Sequence, residues 1–174
     1  MGLDTHSVCP QRSGGPRESL MIQKVVENAA LIAEVKAQAK DKALKELLAA
    51  AQAAGMFAKK VAAPLAKKLL QREAIGSTGL GNSIAVPQVK HEAFTQPSLV
   101  VARARTGIEW QSIDGRPVHI LFFLASPIDA PEAHLQCLRW ISTLARNADF
   151  RRFMLDAPDE AAMRDLLVEM LPKS

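Results

Sequence analysis

The sequence predicts an α/β protein in which helices cover a β-sheet. From Ser19 to Leu70 the chain is rich in Ala, Leu, Lys and Glu, residues with high helix propensity. After residue 75, glycines and prolines separate short β-branched segments, a pattern typical of strands. Segments with helical periodicity follow those strands. At 174 residues and 48% hydrophobic content, the chain is long enough for a single domain with one layered α/β architecture.

Two helices are predicted in the first half of the chain. The first begins near Asp41, and Gly55 can end it. A second helix is expected from about Val61 through Leu70, where Pro64 is tolerated in the first turn. The first helix carries apolar residues at helical spacing: Ala43, Leu44, Leu47, Leu48 and Ala51.

The segment before these helices is ambiguous. Residues 30–36 show partial alternation, so a strand competes there with helix propensity. Residues 1–19 contain Pro10, Pro16, Gly14 and Gly15 among polar residues, which favours a flexible arm. The folded domain is therefore expected to comprise residues 20–174.

The second half of the chain alternates strands and helices. Residues 98–104 and 118–124 are expected to be strands, the latter central and buried on both faces. Residues 114–117, Asp-Gly-Arg-Pro, predict a turn between them. Pro131 begins a helix, and the last helix begins at residues 157–160. The apolar residues assigned to these two helices are Leu135, Leu138, Ile141, Leu144, Met163, Leu166, Leu167 and Met170.

Charge and composition restrict the functional classes. The formal charge is +4, and much of the excess lies on lysines of the first half that are interleaved with Ala and Leu. Because aromatic residues are few and tyrosine is absent, the pattern favours a solvated basic helical face over nucleic-acid binding. A basic face would also suit an acidic protein partner.

Several targeting and metal-binding classes are also disfavoured. The longest apolar run, residues 118–125, is too short for a bilayer core of roughly 30 Å, and no leader is recognisable. The two cysteines, Cys9 and Cys137, make neither a disulfide framework nor a metal motif, so a reducing, cytoplasmic location is expected. No metal or cofactor site is predicted, since the histidines lack ligand spacing.

The most specific feature is the segment from Arg72 to Gln88, which reads REAIGSTGLGNSIAVPQ. Its glycines would let backbone N–H groups approach a phosphate, although alone they also fit a plain tight turn. The segment is neither a Walker loop nor a dinucleotide-binding fingerprint, because the required Lys and third Gly are missing.

The whole segment, with Asp114-Gly115, residues 121–124, His134-Leu135 and the helix start at 157–160, resembles the type-2 enzyme IIA domain. This is the fructose/mannitol and nitrogen-regulatory class of the bacterial sugar phosphotransferase system. The resemblance covers about residues 25–171. It implies a single domain with a mixed β-sheet flanked by helices on both faces, and a strand near residues 31–35.

The resemblance also implies a function and a site. In this family a histidine takes a phosphoryl group from the phosphocarrier HPr and passes it to a sugar-specific enzyme IIB or a regulatory target. Carried over by position, His134 would bond the phosphoryl group and Arg72 would supply a charged donor fork. Thr78 and a phosphate-binding loop with Gly79, Gly81 and Asn82 would complete the cradle.

At the acceptor position this chain carries Gln88 in place of the family histidine. A carboxamide forms hydrogen bonds but does not carry a phosphoryl group. Three explanations stay open: a natural member that acts by binding, a substitution that traps the unphosphorylated state, or replacement of the acceptor by His91. The third is disfavoured, because three residues of chain displace a side chain by up to ~10 Å.

The remaining polar candidates have simpler interpretations. His119 lies in a hydrophobic strand and is expected to be structural, and His6 belongs to the arm. Without the resemblance, His134 would be interpreted as a helix-surface residue and Arg72 as a cation at a helix C-terminus.

Overall fold

The computed structural model describes residues 15–173, which form one α/β domain. The predicted arm falls mainly outside this range, but residues 16–19 are helical, and the Ser19 hydroxyl donates to the Pro172 carbonyl at 2.9 Å. The first helix therefore begins before residue 20, where the folded domain was expected to start. The elements are α1 (Pro16–Glu27), β1 (Ala30–Ile32), α2 (Lys40–Ala53), α3 (Ala62–Ile75), β2 (Gly79–Gly81), β3 (Ile84–Ala85), β4 (Gln88–Lys90), β5 (Ser98–Ile108), β6 (Val118–Ser126), α4 (Pro131–Arg146), α5 (Ala148–Asp156) and α6 (Glu160–Glu169), with a 3₁₀ turn at Lys59–Val61.

The six described strands form one mixed sheet. The order is β1-β5-β6-β3-β2, and β4 also pairs with β6 beyond the end of β3. β1 is parallel to β5, β5 is antiparallel to β6, and β3 and β4 are parallel to β6. β6 is the central strand, as the sequence predicted.

Alternation along the two long strands builds a core on each face of the sheet. Leu99 and Val101 face a cluster shared with α1, α4, α5 and α6, whereas Val100 and Ala102 face α2 and α3. The central strand β6 alternates in the same way, because both of its faces are covered by helices. The expected arrangement, a mixed sheet with helices on both faces, is confirmed.

Local details differ from the sequence expectations. The ambiguous segment is a strand, but it ends at Ile32, and the Val35 N–H still donates to the Arg103 carbonyl at 2.7 Å. In α4, Leu135 is 41% exposed, while Cys137 and Trp140 are buried. None of the helices among residues 15–173 combines the length and apolarity needed to cross a membrane.

One buried cation joins the layers. The Arg103 side chain on β5 is 1% exposed, and it donates to the Ala33 carbonyl and to the carbonyls of Met154, Leu155 and Ala157 at the end of α5. A guanidinium suits this role because it has five donors in a fixed plane and is attracted to a helix C-terminus.

We expect Arg103→Met to lower the free energy of unfolding by about 3 kcal/mol or more, because several buried carbonyls lose their donor. Urea denaturation followed by circular dichroism measures this. Arg105→Gln is the matched control: Arg105 lies two residues further on the same strand in a largely exposed ion pair with Glu34, so its loss should cost less than about 1 kcal/mol. Equal losses for both variants would contradict the bridging role of Arg103.

Candidate functional site

The candidate site lies where the edge strand β4 meets α3 and α4. β4 runs parallel to β6, with Gln88 opposite Leu124 and Lys90 opposite Ser126. After β6 the chain turns and starts α4 at Pro131, which places His134 in the first turn, against Ser126 at the carboxyl end of β6 and Gln88 at the start of β4. Polar side chains at the carboxyl ends of neighbouring parallel strands are a common arrangement of α/β binding sites.

His134 contacts Gln88 directly. The Nε2 atom of His134 lies 2.9 Å from Oε1 of Gln88, and its Nδ1 atom lies 2.8 Å from the Ser126 hydroxyl. Because Oε1 of an amide only accepts, Nε2 carries the proton and Nδ1 accepts from Ser126. The amide orientation agrees with this assignment, since Nε2 of Gln88 faces the Val86 carbonyl at 3.5 Å. Ser126 is fully buried, and its hydroxyl holds the orientation of the His134 ring, whose tautomer is set by the acceptor oxygen of Gln88.

The surroundings keep His134 uncharged. Burial, and secondarily repulsion from Lys90, lowers the pKa of His134 from 6.5 to about 4. At neutral pH the ring therefore donates one hydrogen bond from Nε2 and carries no charge.

A cleft of about 450 Å³ adjoins this pair. It is lined by three cations, Lys68, Arg72 and Lys90, together with Gln88 and the 85% exposed side chain of Ile75. Arg72 donates from Nη1 to the Gly76 carbonyl at 3.1 Å. Among residues 15–173, no carboxylate forms an ion pair with any of these three cations. The cleft is thus a surface suited to an anion.

Thr78 occupies a different environment from the one expected. Its hydroxyl donates to Oε2 of Glu73 at 2.6 Å and accepts from the Trp110 indole, while its backbone N–H donates to Oε1 of Glu73. Lys40 pairs with the same carboxylate at 2.6 Å. Because both donors of Thr78 are already used, the structure does not support a direct phosphate contact from this residue. Thr78 instead anchors the segment that follows Arg72.

The expected phosphate-binding loop is a tight hairpin between β2 and β3. The Gly79 N–H donates to the Ser77 hydroxyl at 3.1 Å, and the Asn82 N–H donates to the Asp114 carboxylate at 2.9 Å. The two loop residues between the paired Gly81 and Ile84 are Asn82 and Ser83, with φ of 53° and 64°, as a two-residue hairpin loop of this kind requires.

This hairpin tip is unsuited to a phosphate and lies away from Gln88. Hydrogen bonds from the backbone N–H groups of Arg116 and Asn82 lower the pKa of Asp114, so an anion already occupies the tip. In the register of β6, Ile84 pairs with Ile120 whereas Gln88 pairs with Leu124, a separation of roughly 13 Å along the strand. The assignment of Gly79, Gly81 and Asn82 to phosphate binding is therefore not supported.

His91, the proposed substitute acceptor, follows β4. Its Nδ1 accepts from the Ala93 N–H at 3.0 Å, so the lone pair of that nitrogen is engaged and Nε2 carries the proton. His119 faces the Ala104 carbonyl at 3.0 Å, consistent with its expected structural role. Within residues 15–173, no group of three or more His, Cys, Asp or Glu side chains is arranged to hold a metal ion.

The structure thus brings together Gln88, His134 and Arg72, and it adds residues that the sequence analysis did not assign to the site. Lys68 lies one helical turn before Arg72, and Lys90 lies two residues after Gln88 on the same side of β4, so both spacings were available as signals. Ser126 ends an apolar strand, and a polar residue at that position of a central strand was a further signal.

Comparisons with known proteins agree with the fold. A model of the family described as "Phosphoenolpyruvate-dependent sugar phosphotransferase system, EIIA 2" matches residues 24–170. Over 146 residues the chain is 32% identical to a nitrogen regulatory protein of Bradyrhizobium diazoefficiens, a match that covers 84% of this chain and 94% of that protein. It is 34% identical over 99 residues to the fructose-specific EIIABC component of Bacillus subtilis. That match covers 57% of this chain, which spans only 16% of the length of that relative.

Solved structures show the same fold. The nitrogen regulatory protein IIA-Ntr of Neisseria meningitidis superposes with a TM-score of 0.71 at 23% identity, covering 83% of this chain and 99% of that one. Enzyme IIA-mannitol of Escherichia coli, in its complex with phosphorylated enzyme IIB-mannitol, superposes with a TM-score of 0.67 at 18% identity, covering 80% and 94%.

The lowered pKa of His134 makes stability depend on pH. In the unfolded chain the imidazole titrates near 6.5, so between pH 6.5 and 4 the unfolded state binds a proton that the folded state does not. We therefore expect the free energy of unfolding to fall on acidification through this window, by at most about 3 kcal/mol from this residue. Urea titrations at pH 7 and pH 4.5 measure the loss, and His134→Gln should reduce it.

Removal of the Lys90 charge tests the second cause of the lowered His134 pKa, which is repulsion between the two groups. Lys90→Gln should raise the pKa of His134, because the repulsion that opposes protonation is lost. NMR titration of the His134 ring measures the change. Lys68→Gln, which alters another cation of the cleft, serves as the control and should have the smaller effect. A larger shift in the control would mean that Lys90 is not the relevant charge.

Proposed function

Because the chain belongs to the type-2 EIIA family of the phosphoenolpyruvate-dependent sugar phosphotransferase system, we propose that it is a fructose-type or nitrogen-regulatory EIIA that does not accept a phosphoryl group. The observation that carries this proposal is the amide of Gln88, hydrogen-bonded to His134 beside a cleft lined by three cations that form no ion pair within residues 15–173. His134 and the cations that suit a phosphoryl group are thus in place, whereas the side chain at the acceptor position is an amide.

The chemistry of the amide supports the loss of the acceptor function. Phosphoryl transfer requires an attacking atom with an available lone pair, held in line with the leaving group. The amide nitrogen lone pair is delocalised into the carbonyl, and the carbonyl oxygen of Gln88 already accepts from His134. At position 88 the side chain forms hydrogen bonds only.

The neighbouring histidines are poor replacements. The unprotonated nitrogen of His134, Nδ1, faces the buried Ser126 hydroxyl, and the residue is 4% exposed. The Nδ1 atom of His91 is engaged by the Ala93 N–H. Neither ring presents a free lone pair to a donor seated in the cleft.

The proposed partners follow from the family. An HPr-type phosphocarrier would dock on the cleft, and an enzyme IIB or a regulatory target would use the same face. The mannitol relative is seen in complex with its phosphorylated enzyme IIB, which supports an interaction of this class. A cytoplasmic location stays a prediction.

A second candidate function is regulation by binding alone. Gln88 and His134 satisfy one another without any phosphoryl group, so the site is already organised in this state. A target protein recognised in this state would bind with an affinity that does not depend on the phosphorelay, and affinity measured with and without phosphoenolpyruvate distinguishes this candidate.

We expect the chain to remain unlabelled when it is incubated with enzyme I, HPr and ³²P-phosphoenolpyruvate. Gln88→His should acquire an acid-labile label, because the restored imidazole would lie next to His134 and the cationic cleft. Gel autoradiography after mild acid treatment measures both outcomes.

Two double variants serve as controls for that experiment. Gln88→His combined with His91→Ala should still be labelled, whereas Gln88→His combined with Arg72→Met should be labelled more slowly. Label on the unaltered chain that disappears in His91→Ala or His134→Ala would refute the proposal. Absence of label in Gln88→His would show that more than the acceptor is missing.

A further inference from the structure

Gln88 adds a hydrogen-bond donor to the cleft. Its amide nitrogen has two N–H groups, and within residues 15–173 its one partner is the Val86 carbonyl at the long distance of 3.5 Å. A neutral imidazole that acts as a nucleophile presents a lone pair at this position, whereas the amide can present an N–H. The replacement thus exchanges a group that attacks phosphorus for one that can bond a phosphoryl oxygen.

The cations of the cleft are arranged for an anion, and no carboxylate within residues 15–173 pairs with them. Lys68 and Arg72 are four residues apart on α3, a spacing at which like charges repel. Lys90 adds a third positive charge from β4. Apart from the Nη1 bond to Gly76, no protein acceptor contacts these three side chains in residues 15–173. A doubly charged phosphoryl group would relieve the repulsion and receive charge-assisted hydrogen bonds.

We propose that this cleft binds the phosphoryl group of a phosphorylated HPr-type carrier and holds it without transfer, so that the chain recognises the phosphorylated state of its partner. This rests on the proposed function, because a chain that accepted the phosphoryl group would release an unphosphorylated carrier. With no nucleophile at position 88, the complex stops at docking, and its lifetime reports the phosphorylation of the partner.

A protein-borne phosphoryl group fits better than free phosphate. The cleft is open to solvent, and the exposed Ile75 side chain borders the cations, so an apolar protein surface has a contact beside the charged group. Free phosphate would use the cations and the Gln88 N–H but would make no apolar contact with Ile75.

The test compares the affinity of the chain for HPr kept phosphorylated by enzyme I and phosphoenolpyruvate with its affinity for unphosphorylated HPr. Calorimetry or biolayer interferometry measures both, and the chain is checked for label in the same samples. We expect the phosphorylated carrier to bind roughly tenfold more tightly, the effect of a single charge-assisted hydrogen bond or more. Millimolar inorganic phosphate should not abolish this binding.

Three variants identify the groups responsible. Arg72→Gln should remove most of the preference, while Lys67→Gln, the neighbouring α3 lysine that does not line the cleft, should retain it. Gln88→Glu keeps the size of the side chain and an acceptor for His134, but it lacks the N–H groups and adds a negative charge, so it should lose the preference. Circular dichroism confirms that each variant is folded.

The outcomes separate this inference from the proposed function. Equal affinity for the two forms of HPr, no binding of either, or a preference that survives both Arg72→Gln and Gln88→Glu would overturn the inference while leaving the absence of transfer intact. Complete competition by inorganic phosphate would also overturn it, in favour of a free-anion site. Label on the unaltered chain would overturn the proposed function itself.

Discussion

The hydrogen bonds that link Ser126, His134 and Gln88 determine what the site can do. Both hydrogen bonds run in one direction along the chain of residues. The serine hydroxyl donates to Nδ1 of His134, and Nε2 of His134 donates to the amide oxygen of Gln88. Burial and the nearby lysine keep the ring neutral, so this direction is stable at physiological pH. The chain of bonds leaves the amide N–H groups of Gln88 directed away from His134, and every functional proposal for the cleft starts from that orientation.

The two ends of the segment from Arg72 to Gln88 have different structural roles. At its start, Glu73 accepts from both donors of Thr78 and pairs with Lys40, so the end of α3 is held against the strands. Arg72, its neighbour, then points to the cleft beside Gln88 at the other end of the segment. The glycines between them allow the tight hairpin.

Under the proposed function, the side chain at position 88 separates the binding of a phosphoryl group from its transfer. Lys68, Arg72 and Lys90 are placed by α3 and β4 and not by the side chain at position 88, so the positive charge of the cleft does not depend on that side chain. Binding of an anion by the cleft can therefore occur without a chemical reaction at position 88. If the cleft acts as proposed, its cations recognise the phosphorylated state of a partner without a reacting group at position 88.

The sequence by itself determined the fold class, the long strands and most helix positions, and its resemblance to a family singled out Gln88, His134 and Arg72 as candidates. Propensity, periodicity and a long motif are local properties, and they are readable along one chain. Only the tertiary structure decided that both hydrogen-bond donors of Thr78 bond to Glu73, that the Asp114 carboxylate lies at the hairpin tip, and that Ser126 orients His134. These depend on which donors and acceptors meet across distant elements, and a donor already bonded inside the protein is not available to a ligand. Sequence order does not record that pairing.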